Sequence, residues 1–227
     1  MSLADVNWDI LRVSGLLTAL ATALCVLIGT PLAWKIARSR PAVANVLSAF
    51  ALLPLVLPPT AVGYYVLYVL GRQSAFGRFL IDDLGIRLIF TWPGAAIAAA
   101  IVTFPLYVRT AQAGFEQIDP DLLAVARTMS APRRVFWRVA IPLAWPSLAA
   151  ATVIAIARSL GEFGAAVIVA GNIPGETQTI PSAIYDATQA GNPALANTLA
   201  AIALFIGVVL LSILALLLHR AQRTRRV

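Results

Sequence analysis

Charge is scarce in this 227-residue sequence: Asp, Glu, Lys and Arg together make up 12% of it. Soluble domains carry about 25%, so an ordinary soluble fold is excluded. Cysteine is nearly absent. The single Cys25 rules out an internal disulfide and any cysteine-based metal site. The single histidine, His219, leaves no zinc or haem ligand set, and no H-E-x-x-H pattern occurs. The single lysine, Lys35, is followed by Ile36 and has no glycine pair before it. A phosphate-cradling loop of the form G-x-x-x-x-G-K-[ST] is therefore excluded. Uphill transport by such a chain would have to be driven by a partner or by an ion gradient.

Apolar residues are abundant: 60% of the chain, with a mean hydropathy of +0.85. A membrane-spanning helix needs about 20 apolar residues in a row. Runs at about 14–34, 46–70, 93–108, 146–170 and 194–218 predict an all-α polytopic membrane protein with about five spans, forming one permease-like domain over 1–227. The first run is expected to be a retained span, because it exceeds a signal-peptide core in length and Lys35, Arg38 and Arg40 follow it instead of leading it. Cys25, in mid-span, reads as a packing residue. The second run carries Pro54, Pro58, Pro59 and Gly63. Interior prolines remove backbone bonds and bend helices, so this span is expected to be bent and to face protein or a solute path. Alanines at 95, 96 and 98–100 suit close helix packing in the third run. Residues 71–91 and 171–193 read as loops.

Basic residues set orientation. Placing the 35–45 connector, the 109–140 segment and the C-terminal tail (Arg220, Arg223, Arg225, Arg226) in the cytoplasm puts twelve basic residues inside. Four remain outside: Arg12, Arg72, Arg78 and Arg87. The N-terminus is then outside and the C-terminus inside.

Two places could carry function. Arg158 and Glu162, four apart, share a helix face. Counted from a helix start at Pro146, they lie about 18 and 24 Å along it, inside the bilayer, where charge must be paired or wet. Gly161 and Gly164 flank the acid. Pro58, Pro59, Arg158, Ser159, Gly161, Glu162 and Gly164 are candidates for a path or gate; a buried ion pair that pins packing is the competing role. The second place is 119–140. Asp119-Pro120 suits a helix N-cap followed by proline. Leu122, Leu123, Ala126 and Met129 follow at helical spacing, Ser130-Ala131-Pro132 breaks the helix, and Val135, Phe136 and Val139 lie on one side of a second helix. This is a cytoplasmic surface hairpin able to dock on a protein or lie on anionic lipid.

The stretch from Asp119 to Thr128, leading to Val139-Ala140-Ile141-Pro142-Leu143, resembles the coupling segment of binding-protein-dependent ABC importer permeases, with its E-A-A-x3-G motif. The motif glutamate falls at Ala124 and its first alanine at Val125; its glycine is replaced by Ser130 or lost in a one-residue deletion. Leu53 to Pro59, Ala157 to Gly164 and Gly171 to Pro181 are similar to the molybdate permease branch; sulfate and tungstate permeases share parts of them. The resemblance implies a type I importer permease in a bacterial inner membrane, acting as a homodimer. It implies two cytoplasmic ATP-binding subunits that hold the ATP and Mg, an external oxyanion-binding protein, and no cofactor on this chain. Nucleic acid has no part in it. Leu122, Leu123, Ala126, Arg127, Met129, Ser130, Arg133 and Phe136 would meet the ATPase. A gradient-driven carrier or channel is the alternative from another class. A membrane-embedded enzyme has little support, since Arg158 and Glu162 lack a nucleophile–base partner set.

Overall fold

The computed structural model describes residues 8–224, with side chains through Leu216. Regular structure among the described residues is entirely helical. Helix α1 (Trp8–Arg38) is followed by α2 (Pro41–Val56), α3 (Pro59–Leu70) and the short α4 (Ala75–Arg78), which runs on as a π turn over Phe79–Asp83. Then come α5 (Trp92–Glu116), α6 (Pro120–Met129) and α7 (Pro132–Val135), the last continuing through a π turn (Phe136–Ala140) into α8 (Ile141–Leu160). Helices α9 (Gly164–Ala170), α10 (Ile180–Gln189) and α11 (Pro193–Thr224) complete the chain. Four helical stretches are long and apolar enough to cross a membrane, and α2 with α3 can make a fifth crossing.

Several boundaries differ from the sequence reading. The run 46–70 is not one bent helix: α2 and α3 meet at 107°. The loop 71–91 contains α4, whose N-cap Ser74 accepts a hydrogen bond from Gly77 N at 2.8 Å, and Arg72 pairs with Asp82 at 3.1 Å. Helix α5 continues eight residues beyond Val108, carrying Arg109 on its exposed side. The second arm of the 119–140 hairpin is continuous with the next span, forming one 29-residue rod from Pro132 to Leu160. The loop 171–193 holds α10. Arg225 and Arg226, and the side chains of Arg220 and Arg223, lie outside the described residues.

The core sits where α1, α5 and α8 pack together. Ala21, Cys25 and Ala33 on α1, Ala95, Ala96 and Ala99 on α5, and Ala151 and Ala155 on α8 are all buried. Small side chains let helix backbones approach, which is how helices associate where lipid offers no hydrophobic contrast. Cys25 is part of this packing and donates its thiol to Ala100 O at 3.5 Å. Deeper in the same seam the Thr30 and Tyr107 hydroxyls pair at 2.7 Å. Tyr107→Phe should cost about 1 kcal/mol, the net value of one such bond. Thermal unfolding in detergent should show a small drop in midpoint with insertion unchanged.

Helix α11 packs through Leu195, Leu199, Ile202 and Ile206 against α10 and neighbours. Only 6% of its most apolar stretch is buried, so its remaining apolar surface faces outward.

Candidate functional site: two helix breaks and a hairpin

The first region is built by two interruptions. Helix α2 ends at Val56, Leu57 is extended, and Pro58 and Pro59 open α3. Proline is favourable at a first helical turn, where its missing N–H has no intrahelical partner to lose. The two prolines therefore start a new helix in a new direction. The second interruption falls at Gly161–Phe163, between α8 and α9.

Glu162 lies in this second break, beyond the end of α8. The chain turns at Gly161, and the carboxylate folds back: Oε2 pairs with Arg158 Nη1 at 2.7 Å. Its Oε1 accepts from Ala165 N at 2.9 Å, supplying a partner to the first turn of α9. A carboxylate there also suits the positive end of the helix dipole. Glu162 is 2% exposed, whereas the Arg158 side chain keeps 32% of its surface open. The i,i+4 pair therefore forms, but across a break. The depths counted from Pro146 do not stand, because the helical rod begins at Pro132 and stops at Leu160.

The two breaks meet. A Cβ on Gly164 would lie 3.3 Å from Pro59 Cβ and 3.6 Å from Thr60 N. One turn further along α3, a Cβ on Gly63 would come within 2.8 Å of Ala165 O, so only glycine allows this approach of α3 to α9. Pro58, Pro59, Gly161, Glu162 and Gly164 thus gather in one place. Pro58, Pro59 and Gly161 are exposed there. Ser159 is not part of any open surface: it is fully buried and its hydroxyl donates to Ala155 O of its own helix at 2.7 Å. Discontinuous helices in membrane transporters mark substrate sites, because irregular backbone is tolerated only against protein or water.

Other residues on the elements that flank the breaks were not singled out from the sequence. Tyr64, Tyr65 and Tyr68 on α3 are exposed. The ring of Tyr185 on α10 lies 5.3 Å from that of Phe163 in the break. Asp186 accepts from Asn172 Nδ2 at 2.5 Å and Gln178 Nε2 at 2.9 Å, tying the preceding loop to α10. The start of α10 is pinned to α1 by Ile180 N donating to Ser14 Oγ at 2.9 Å. A readable signal existed: Thr179 and Ser182 form a capping box around Pro181.

The second region is the hairpin. Asp119 accepts from Asp121 N at 2.8 Å and caps α6. Helix α6 has two apolar stripes, not one. Leu123 is 2% exposed and with half-buried Ala126 faces the core, whereas Leu122, Val125 and Met129 are 47%, 60% and 80% exposed. Arg127 and Arg133 are also exposed, and Ser130 is half-buried at the corner. On the second arm Val135 is buried, and half-buried Phe136 stacks within 5.8 Å of Trp34 and 6.3 Å of Phe115. Trp137 is 60% exposed. Val125 and Trp137 belong to the outer face and were missed: the sequence reading merged the two stripes of α6 into one.

Residues 16–226 match the family described as "Binding-protein-dependent transport system inner membrane component". The chain is 43% identical over 190 residues to the molybdenum transport system permease protein ModB of Escherichia coli (strain K12), covering 83% of each. It is 32% identical over 220 residues to the sulfate transport system permease protein CysW of Synechococcus elongatus, covering 96% of this chain and 77% of that one. Its fold matches a chain from an inward-facing structure of the MetNI methionine ABC transporter, with TM-score 0.73 at 17% identity, over 97% of this chain and 99% of that chain. The chain therefore belongs to the binding-protein-dependent inner-membrane components, as a multi-pass, non-catalytic permease subunit of an ABC importer.

Proposed function

We propose that the chain supplies half of the path by which an ATP-driven importer moves a tetrahedral oxyanion, molybdate, across the membrane. It works as a homodimer with two cytoplasmic ATP-binding subunits, which hold the ATP and Mg, and with an external protein that delivers the anion. The observation that carries the substrate is the step in identity, from 43% with a molybdenum permease to 32% with a sulfate permease. The basic residues support an N-terminus outside and the hairpin inside.

The geometry supports a mechanism. The outer stripe of α6, Leu122, Val125 and Met129, is apolar, exposed and rimmed by Arg127 and Arg133. It suits a groove on the ATPase. The second arm of the hairpin is the start of the Pro132–Leu160 rod, about 43 Å long at 1.5 Å per residue. The helix is unbroken from the hairpin through the π turn and Pro146 to Leu160, so a push on the hairpin is carried along it to Arg158 and the break at Gly161. The break then moves against Pro58 and Pro59, and this is the gate. The Arg158 charge is matched by Glu162, so a passing dianion meets no strongly attractive fixed cation. A path must not hold what it conducts.

The test is uptake by proteoliposomes holding the chain, its ATPase and its binding protein. Molybdate uptake should require ATP and exceed sulfate uptake at least tenfold at equal concentration. Preferred uptake of sulfate would reassign the substrate. Uptake by the chain alone, driven by an ion gradient, would overturn the importer mechanism.

A further inference from the structure

The corner between α5 and α6 is held by a side chain from neither helix. Helix α5 ends at Glu116, and the turn that follows is closed by one backbone bond, Ile118 N donating to Phe115 O at 3.2 Å. Only residues 117–119 separate it from α6. Arg38, the last residue of α1, reaches across this corner. Its Nη2 donates to Phe115 O at 2.5 Å and to Ile118 O at 3.1 Å, one carbonyl in the end of α5 and one in the turn. A cation at the negative end of a helix is also favoured by the dipole.

The guanidinium lies over the Trp34 ring, 5.2 Å from its centroid. The Trp34 ring meets Phe115 of α5 edge-on at 5.3 Å and Phe136 of the hairpin's second arm at 5.8 Å. Phe115, Ile118 and Leu123 are buried around this cluster. Arg127 of α6 and Glu116 of α5 are both near enough for their charges to act on Arg38. Its Nε is buried without a hydrogen-bond partner. The side chain thus spends Nη2 on the two carbonyls while Nε stays unpaired. A lysine ammonium could donate to the same two carbonyls, but it could not stack on Trp34 as a planar group.

We propose that Arg38 is a positioning residue for energy coupling: it fastens the α5–α6 corner to α1, so that α1 and α5 move with the hairpin. This rests on the reading of α6 as the ATPase-docking helix. The hairpin has two connections to the spans. One is the continuous helix into α8; the other is the turn 117–119 into α5, which is short but not helical. With Arg38 bridging Phe115 and Ile118, that turn is stiffened against the packed α1–α5–α8 core, and α6 moves with the core as one body. Without the bridge α6 gives at this turn, part of the hairpin's displacement is lost before it reaches the core, and hydrolysis proceeds without a complete opening of the path.

The experiment compares Arg38→Gln and Arg38→Lys with the native chain in the full transporter, reconstituted with its ATPase and binding protein. Three quantities are read: ATPase co-purification, ATP hydrolysis and molybdate imported per ATP hydrolysed. Co-purification should match the native chain and hydrolysis should stay within about twofold, while import per ATP falls at least fivefold in Arg38→Gln and recovers in part in Arg38→Lys. A merely structural role would lower hydrolysis and import together and leave their ratio unchanged; that result overturns the proposal. If Arg38→Gln does not insert, the ratio in Arg38→Lys decides by the same rule, a native ratio counting against. Failure of the docking reading shows separately, as a chain altered at Met129 that still captures the ATPase.

Discussion

Glu162→Gln should lower molybdate import by about thirtyfold to a hundred-and-fortyfold in reconstituted transporter. The amide oxygen can still accept from Ala165 N, so the first turn of α9 keeps its partner. What goes is the charge opposite Arg158. Removing one member of a buried ion pair costs about 3–5 kcal/mol. Arg158 retains 32% of its side-chain surface, and water screens it in part, so about 2–3 kcal/mol is the better figure. At 1.4 kcal/mol per factor of ten, that shifts a two-state gate by the stated amount. Glu162→Ala should be worse, because it also removes the acceptor for Ala165 N. The double change Arg158→Gln with Glu162→Gln leaves no unpaired charge and should recover both thermal stability and import to within about tenfold of the native chain. A double variant that regains stability yet imports no better than Glu162→Gln would show that the anion needs the Arg158 charge. That would make Arg158 a filter for the anion instead of a matched charge beside the gate.

The places where sequence and structure part company have one physical cause. Hydropathy marks where lipid ends; hydrogen bonding decides where a helix ends. Helix α5 continues from Val108 to Glu116, and the rod that ends at Leu160 begins at Pro132, well before the apolar run at Pro146. Both extensions carry arginines and look like connector to a composition count. The breaks were legible as breaks, since Pro58-Pro59 and Gly161–Gly164 are strong local signals. Their consequences were not. Nothing local to Pro58 dictates 107°; that angle is set by Gly63 lying against Ala165, more than a hundred residues away in sequence. Glu162 was placed on the Arg158 face by i,i+4 spacing, and the pair exists, but a helix and a turn back over a break give the same contact from different backbones. Helix α10 escaped notice because it is short and polar on one side, and its buried apolar anchors, Ile180, Ala183 and Ala187, are too few to produce a run. On α6 the adjacent Leu122 and Leu123 hid two faces: only packing reveals that Leu123 belongs inside with Ala126 and Leu122 outside with Val125 and Met129.

That division of α6 fixes the outcome of the other large-effect experiment. Met129→Asp should separate the chain from its ATPase while leaving the chain itself intact. Met129 is 80% exposed and Val125 60%, so an aspartate at either position costs the free subunit almost nothing. In a docked complex the same charge would be buried among apolar groups. A central apolar contact of this kind is worth about 2 kcal/mol or more on truncation, and an unpaired buried charge adds to that. Recovery of ATPase with the tagged chain should fall about a hundredfold, with membrane yield and detergent-solubilised size unchanged. Leu123→Asp should behave in the opposite order. Leu123 is 2% exposed against the core that holds Phe115, Ile118 and Val135, so the charge strikes the hairpin's own packing and yield falls before any partner is offered. Phe136→Asp belongs with Leu123, because Phe136 stacks on Trp34 and Phe115 inside the same cluster. The contrast carries more than either result alone. A hairpin that simply rests on lipid would tolerate an aspartate at Met129 with ATPase recovery unchanged, and that result would remove the docking face from α6.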